Sequence, residues 1–235
     1  MTARSSDSVL MVAARAPYPG ATKTRLGRTI GMDRAARLYS AFLVDLAAKL
    51  TTDPDDHRPY DLVWTHSPPG IDFRRELCEA IGNVPADTRF LPQIADEDWG
   101  RRQSALLEWG DAQGYARSVL IASDSPQIDI AVISEAFASL VTNDVVIGRV
   151  HDGGYYLIGQ RGYREILKGV EMSTASAADG VIEHARRLGL VVAEVQPTFD
   201  VDVEGDLDLL REHLGRCEGR DAPATWRALL DLGLR

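Results

Sequence analysis

The stretch VLMVAARAPYPGATKTRL, residues 9–26, decides the fold class of this 235-residue chain. Its first six residues form a continuous apolar run, which is typical of a parallel strand buried on both faces. A Pro-Tyr-Pro-Gly elbow ends the run, and apolar residues then recur at helical spacing over residues 33–50, with Asp33 as a candidate N-cap. The elbow is therefore predicted to join a strand to a helix, a place where α/β proteins bind ligands.

The remainder of the chain continues this alternation. Strands are predicted near residues 60–65, 88–93, 117–124, 143–150, 154–159 and 190–196, and helices near residues 72–81, 101–113, 129–138 and 175–188 and after Asp202. Strands that alternate with helices on short connections predict an α/β fold with a mostly parallel sheet and helices on both faces. The strand order is left open. We expect residues 1–8 to form a disordered tail and residues 9–235 to form a single domain.

Composition narrows the class of protein. A hydrophobic content of 45% and a charged content of 26% are those of an ordinary soluble globule. The net charge of −9 argues against a nucleic-acid surface, although it leaves room for a nucleotide bound by a few local cations. No stretch approaches the ~18 apolar residues of a membrane span, and the first residues lack an apolar signal core, so a cytoplasmic protein is expected. Cys78 and Cys217 match no metal-ligand spacing and are expected to be free thiols. A homodimer is allowed but not indicated.

The opening loop carries a local excess of positive charge. Lys23 supplies a point charge, Arg25 supplies a planar fork, and Gly20 allows close approach of a ligand to the backbone. Directed cations of this kind are suited to phosphate chains. The alternative is a solvated turn with scattered charge.

A single carboxylate, Asp124, follows the strand predicted at residues 117–124 in the sequence IASDSP. Hard cations such as Mg²⁺ or Mn²⁺ take one or two such carboxylates together with phosphate oxygens. An Asx-turn or a helix cap is the alternative, but Asp129 suits the capping role better. The position therefore predicts a metal ligand.

Two consecutive glycines interrupt the segment VHDGGYYLIG, residues 150–159. They indicate either a backbone that something approaches closely or a tight hairpin turn built on Asp-Gly, and the spacing favours neither. Tyr155 and Tyr156 follow them and should lie on opposite faces of the strand.

Alternating acids mark the segment DVDVEGDL, residues 200–207. Asp200 and Asp202 are expected on one face, where both could reach one cation, whereas Asp206 is expected in the first turn of a helix. The alternative is a set of solvated acids that cap the helix. A basic loop after the first strand, an acid after the fourth and an acid near the last together predict a metal–nucleotide site.

The segments APYPGATKTRL, ASDSP, GRVHDGGYYLIG, MST and DVDVEGDL, in this order, resemble a bacterial family of uncharacterised glycosyltransferase-like proteins. The family belongs to the nucleotide-diphospho-sugar transferase superfamily, and some members are described as arsenosugar-biosynthesis glycosyltransferases. More distantly, the loop at residues 22–26 is similar to that of 2-phospholactate guanylyltransferases. Residues 202–207 resemble a motif of sugar cytidylyltransferases and molybdopterin nucleotidyltransferases. The resemblance implies a single-domain glycosyltransferase A-type fold, which is Rossmann-like.

The resemblance also implies roles for individual residues. The expected metal ligands are Asp124 and Asp202, and the expected catalytic groups are Lys23, Arg25 and Asp124. Donor phosphates are expected to meet Arg15, Pro19, Gly20, Lys23, Thr24, Arg25 and Arg102. An acceptor pocket is expected from Asp152, Gly153, Gly154, Tyr155, Ser173 and Thr174. The chain departs from the family where Arg15 replaces a usual lysine and Met172 a usual tryptophan.

Three functions remain open at this point. A nucleoside triphosphate carries more charge than a sugar nucleotide, and its pyrophosphate leaving group calls for cations such as Lys23 and Arg25. This favours a metal-dependent nucleotidyltransferase that uses a small phosphate-, phosphonate- or phosphosugar-type acceptor. The alternatives are a metal-dependent glycosyltransferase with a nucleotide-sugar donor and a non-catalytic nucleotide-binding regulator.

Overall fold

The computed structural model describes residues 6–50, 59–82, 84 and 88–235. Its strands are β1 (Ser8–Arg15), β2 (Asp61–Ser67), β3 (Arg89–Pro92), β4 (Arg117–Ala122), β5 (Val145–Val150), β6 (Tyr155–Arg161) and β7 (Val192–Thr198). Its helices are α1 (Thr24–Ile30), α2 (Met32–Leu50), α3 (Phe73–Ile81), α4 (Trp99–Ala112), α5 (Ile130–Ser139), α6 (Ala177–Arg187), α7 (Glu204–Arg216) and α8 (Pro223–Asp231). Every strand that the sequence predicts is present, so the expected α/β alternation is confirmed.

The strands form one sheet in the order β3-β2-β1-β4-β6-β5-β7. Strand β6 runs antiparallel to β4 and β5, and the other neighbouring pairs are parallel. The mostly parallel sheet is therefore confirmed. The chain passes from β1 to β2 on one side and returns to β4 on the other. This reversal creates a crevice at the carboxyl ends of β1 and β4, which is where open α/β sheets bind ligands.

Strand β1 is buried on both faces because helices cover both sides of the sheet. Leu10 and Val12 pack on one side with the apolar stripe of α2, whereas Val9 and Met11 pack on the other side with residues of α4 and α6. The continuous apolar run is thus explained by two separate core clusters. Among the described residues, none of the helices combines the length and apolar character needed to cross a membrane.

Two helices, α1 and α8, are not predicted from the sequence. Helix α1 begins within the basic loop and ends at Gly31, whose φ of 94° allows α2 to begin directly after it. Asp33 consequently lies in the first turn of α2, so its predicted role as an N-cap is wrong. Helix α8 is held by Asp45, whose carboxylate oxygens accept the backbone N–H groups of Ala224 (2.9 Å) and Thr225 (2.7 Å).

Other local predictions have mixed outcomes. Asp129 caps α5 through the N–H of Ala131, and both cysteines are free thiols, as expected. Ser8 lies in β1, and the carbonyl of Asp7 accepts the N–H groups that lead into β4, so the sheet begins inside the predicted tail. Residues 1–5 of that tail lie outside the described residues.

Candidate active site

A cleft of about 610 Å³ opens at the carboxyl ends of β1 and β4. Strand β6 contributes its first residues to the same edge because it runs in the opposite direction. The segments that precede α6 and α7 complete the wall. The cleft therefore occupies the point where the sheet reverses its strand order, and it collects most of the residues that the motifs single out.

The Lys23 side chain is the most constrained cation at this edge. Lys23 is the N-cap of α1 and has a left-handed backbone conformation, with φ 47° and ψ 40°. Its side chain is only 3% exposed, and its Nζ contacts Oδ1 of Asp124 and lies 2.9 Å from Oδ1 of Asp202. Burial alone would lower the pKa of this ammonium, but the charges of the two aspartates outweigh burial and raise the pKa above its usual value. The two carboxylates therefore favour the charged form of Lys23.

The orientation of the Lys23 side chain differs from the one that the sequence interpretation expects. The sequence interpretation directs Lys23 into the cleft toward donor phosphates, whereas the structure directs its ammonium at the two predicted metal ligands. Arg25 remains accessible: its side chain is 64% exposed, and its Nη1 lies 3.6 Å from Oδ2 of Asp202. Thus Arg25 is the cation of the loop that faces the cleft.

Four aspartates gather on the acidic side of the cleft: Asp124, Asp152, Asp200 and Asp202. Burial, followed by the charges of Asp202 and Asp152, raises the pKa of Asp200 to about 6. Burial opposes ionisation of Asp202, but the charges of Lys23 and Arg25 prevail and lower its pKa. Negative charge therefore remains in excess around Lys23. Carboxylate oxygens in excess of their cations fit a hard divalent ion, so Asp124 and Asp202 suit a Mg²⁺ or Mn²⁺ site.

Asp200 and Asp202 both line the cleft, as their spacing predicts. They lie in the segment that follows β7 rather than within a strand. Asp206 instead accepts the backbone N–H groups of Asp202 and Val203, each at 2.9 Å, and stabilises the start of α7. For Asp206 the prediction of a role in the first helical turn is confirmed.

Three guanidinium groups also line the cleft: Arg15, Arg25 and Arg102. The Arg102 guanidinium lies 4.7 Å from the ring centroid of Trp99. Burial and the nearby charge of Arg15 both lower the pKa of Arg102. Two arginines that repel each other at the wall of a cleft favour an anion between them.

Pro19, Gly20 and Thr24 lie at the exposed surface of the basic loop, and none of them is among the residues that line the cleft. Gly20 has a φ of 75° and open space around it, so its glycine serves the turn. The structure therefore leaves these three expected phosphate ligands outside the cleft.

The expected acceptor side is assembled with one exception. Asp152, Gly154, Tyr155, Ser173 and Thr174 all line the cleft. Gly153 lies behind them.

Gly153 has a φ of 93°, and a Cβ at this position would lie 1.9 Å from the carbonyl oxygen of Ala175. Its carbonyl accepts the N–H of Ala178 at 3.1 Å. The Asp-Gly hairpin and the close approach are therefore both present, and the approaching backbone belongs to this chain.

The two tyrosines point to opposite faces, as predicted. The Tyr155 hydroxyl donates to Oε1 of Gln103 at 2.7 Å, whereas the Tyr156 hydroxyl donates to the carbonyl of Gln196 at 2.8 Å. Tyr155 thus joins α4 to the cleft wall.

Sequence reasoning misses the residues that hold the strand ends. The Tyr39 hydroxyl accepts the backbone N–H of Arg15 at 2.9 Å and lies 2.7 Å from Oγ of Ser123, which donates to the carbonyl of Ala13 at 2.8 Å. These bonds tie the end of β1 to the end of β4. Tyr39 sits in the apolar stripe of α2, and no motif distinguishes it. No motif distinguishes Gln103 on α4 either.

The fold and the cleft define the class of the protein: an α/β domain of the nucleotide-diphospho-sugar transferase type, with a carboxylate pair and several arginines at the switch point of the sheet. Residues 60–174, just under half of the chain, match the profile of a family described as an uncharacterised protein conserved in bacteria (DUF2064). No curated protein matches the sequence.

Solved structures agree with this class. A protein from Desulfovibrio desulfuricans G20, provisionally described as a nucleotide-diphospho-sugar transferase, is 29% identical with a TM-score of 0.85 over 96% of this chain and 95% of that chain. A 4-diphosphocytidyl-2C-methyl-D-erythritol synthase from Anaerococcus prevotii DSM 20548 is 10% identical with a TM-score of 0.55, covering 89% and 97% of the two chains.

A Mycobacterium tuberculosis rv0371c homologue from Mycobacterium sp. strain JC1 is 16% identical with a TM-score of 0.51, covering 88% and 98% of the two chains. The similarities to the Anaerococcus prevotii and Mycobacterium sp. proteins, at 10% and 16% identity, establish the fold alone. The resemblance to glycosyltransferase-like proteins of this superfamily is confirmed, and so is the expectation of a transferase at this level.

Proposed function

We propose that the chain is a metal-dependent nucleotidyltransferase that moves a nucleoside monophosphate from a nucleoside triphosphate to a small phosphate-, phosphonate- or phosphosugar-type acceptor. The observation that carries the proposal is the pairing, in one cleft, of the carboxylates of Asp124 and Asp202 with the guanidinium groups of Arg15, Arg25 and Arg102. Beside a bound metal ion, three guanidinium groups could contact the additional phosphate of a triphosphate, which a sugar nucleotide lacks. Nucleotide substrates of this kind suit a cytoplasmic protein.

We assign different roles to the three arginines of the cleft. Arg25 is assigned to the leaving pyrophosphate, because its exposed guanidinium lies beside Asp202, one of the proposed metal ligands. Arg15 and Arg102 form a second cationic group, in which the Arg102 guanidinium lies against the ring of Trp99 and the Arg15 backbone is held by Tyr39. We assign this pair to an anionic group of the acceptor or of the donor. Preorganised cations stabilise charge that develops in the transition state.

The reaction exchanges one phosphoanhydride bond for another when the acceptor group is a phosphate, or for the corresponding anhydride when it is a phosphonate. An acceptor oxygen attacks the α-phosphorus in line, and the bond from that phosphorus to the bridging oxygen breaks with release of pyrophosphate. A Mg²⁺ or Mn²⁺ ion on Asp124 and Asp202 would neutralise phosphate charge during this exchange. Arg25 would hold the departing pyrophosphate, and the walls of the cleft would keep the acceptor in line with the bond that breaks.

Glycosyl transfer is the second candidate, and one observation favours it. Asp152 and Asp200 place negative charge on the expected acceptor side of the cleft. Such a surface repels a phosphate and suits the hydroxyl group of an uncharged acceptor. The provisional description of the Desulfovibrio desulfuricans G20 protein points the same way.

The donor and the leaving group separate the candidates. Purified protein is mixed with each nucleoside triphosphate and each common sugar nucleotide, with and without Mg²⁺, and binding is read from the thermal shift. Candidate acceptors are then added, and pyrophosphate and nucleoside diphosphate are quantified.

We expect tighter binding of an intact triphosphate, loss of that preference in the Arg25→Ala/Arg102→Ala double variant, and pyrophosphate formed in step with product. Tighter binding of the sugar nucleotide with release of nucleoside diphosphate would establish glycosyl transfer instead. Binding with no product from any donor would favour the non-catalytic regulator.

A further inference from the structure

The Lys23 ammonium occupies the space between the two proposed metal ligands. It contacts one oxygen of Asp124 and one of Asp202, and its side chain is almost entirely buried. Arg25 reaches the second oxygen of Asp202 from the cleft side. The charges that face Lys23 therefore come from the segments that follow β4 and β7, with Arg25 beside it on α1.

We propose, on the basis of the proposed function, that Lys23 is the counter-ion of the metal site in the free protein and is displaced when a divalent cation and nucleotide phosphates bind together. A divalent cation bound to the same two carboxylates would lie close to the Lys23 ammonium, and the two positive charges repel each other in this buried place. The free protein thus has its metal site already neutralised in part. A divalent cation must supply the free energy to displace Lys23 before it can bind.

The nucleotide supplies the missing partner for the displaced ammonium. Phosphate oxygens beside the carboxylates can accept hydrogen bonds from Nζ once Asp124 and Asp202 hold the cation. Cation and phosphates therefore each favour binding of the other, and by linkage the effect is reciprocal. Lys23 acts here as a positioning residue that excludes a free cation and admits a cation accompanied by phosphate.

The test measures Mn²⁺ binding without nucleotide, by the electron paramagnetic resonance signal of free Mn²⁺. We expect Lys23→Met to bind Mn²⁺ more tightly than the wild type by about tenfold or more, an ordinary magnitude for coupling between two ligands. Lys168→Met is the matched control, since it removes the same charge from an exposed pair with Glu165. Mn²⁺ should also raise the melting temperature of Lys23→Met more than that of the wild type, because it replaces the missing cation.

A second measurement uses the wild type and does not depend on the folding of the variant. The sequence contains three lysines, Lys23, Lys49 and Lys168, so their ¹³Cε resonances can be assigned by substitution. We expect the Lys23 resonance to shift when Mg²⁺ and inorganic pyrophosphate are added together, and to shift little with Mg²⁺ alone.

Equal Mn²⁺ affinities for Lys23→Met and the wild type, or a Lys23 resonance unmoved by Mg²⁺ with pyrophosphate, would overturn the displacement and leave the metal site intact. Absence of Mn²⁺ binding in every protein, Lys23→Met included, together with a Lys23 resonance unmoved by Mg²⁺ with pyrophosphate, would overturn the metal site itself.

Discussion

Substitution of Gly153 by alanine tests the contact that closes the acceptor side of the cleft. The glycine has a φ of 93°, and an added Cβ would meet the carbonyl oxygen of Ala175 at 1.9 Å and its carbonyl carbon at 2.5 Å. Neither atom is the end of a flexible side chain. The backbone before α6 must therefore move away from the hairpin between β5 and β6, and the bond from the Ala178 N–H to the Gly153 carbonyl is stretched or lost.

The magnitude follows from two contributions. A left-handed backbone costs a residue with a Cβ roughly 1–2 kcal/mol. Overpacking against a fixed neighbour costs roughly 1–3 kcal/mol more. We therefore expect Gly153→Ala to lower the free energy of unfolding by about 2–5 kcal/mol. Gly20→Ala is the matched control, because Gly20 has a φ of 75° but no atom within 4 Å of the added Cβ, so it should show the first contribution alone.

Urea denaturation followed by circular dichroism measures both variants against the wild type. The difference between them isolates the contact with Ala175, since the conformational cost is common to both. If Gly153→Ala is no more destabilising than Gly20→Ala, the backbone of residue 175 does not lie against the hairpin, and the assignment of Ser173 and Thr174 to the cleft wall fails with it.

Three further predictions concern charge. Arg25→Ala should weaken nucleotide binding about 10- to 100-fold in calorimetry, since a charged hydrogen bond contributes roughly 1.5–3 kcal/mol. Arg28→Ala, also on α1, is the control; equally small effects for both variants would show that the loop is a solvated turn with no role in binding. Asp124→Asn should remain folded yet lose nearly all turnover with any donor that the wild type uses, an expectation that full activity in the variant or in excess chelator contradicts. Asp45→Ala should lower the free energy of unfolding, measured by urea denaturation, by about 2–4 kcal/mol, because two backbone N–H groups at the start of α8 lose their acceptor. Asp33→Ala, at an exposed position on the same helix α2, is the control and should cost less than about 0.5 kcal/mol. Similar losses for both variants would show that α8 does not depend on this cap.

The fold was predictable to the extent that local patterns determine it. The apolar run of β1 and the helical stripe of α2 follow from burial on a sheet covered on both sides. Helix α1 was not predictable in this way, because its seven residues include Gly27 and begin from a left-handed cap. Helix α8 depends on Asp45, which lies 179 residues before Ala224 in the chain. Contacts at such separations leave no periodic signal.

The site was predictable where it depends on topology. Asp124 and Asp202 each follow a strand whose carboxyl end lies at the same edge, so the sequence order brings them together. Lys23 contacts Asp202 across 179 positions of the chain, so no local spacing reveals this contact. The supporting bonds of Tyr39 are hidden by its place in an apolar stripe. Topology thus fixes which groups meet, and local geometry fixes what each one contacts.

The position of Lys23 between two aspartates suggests how an acidic protein could select a nucleotide together with its cation. A chain of net charge −9 attracts divalent cations to many carboxylates, so a bare acidic pair would offer little selectivity. In our proposal, the buried ammonium between the pair raises the cost of binding a free cation, while the arginines that line the same cleft add attraction for phosphate. The ammonium disfavours a free cation and the arginines favour phosphate, so the complex of cation and phosphate binds better than the cation alone. A site built in this way would respond to the nucleotide and its cation as one ligand.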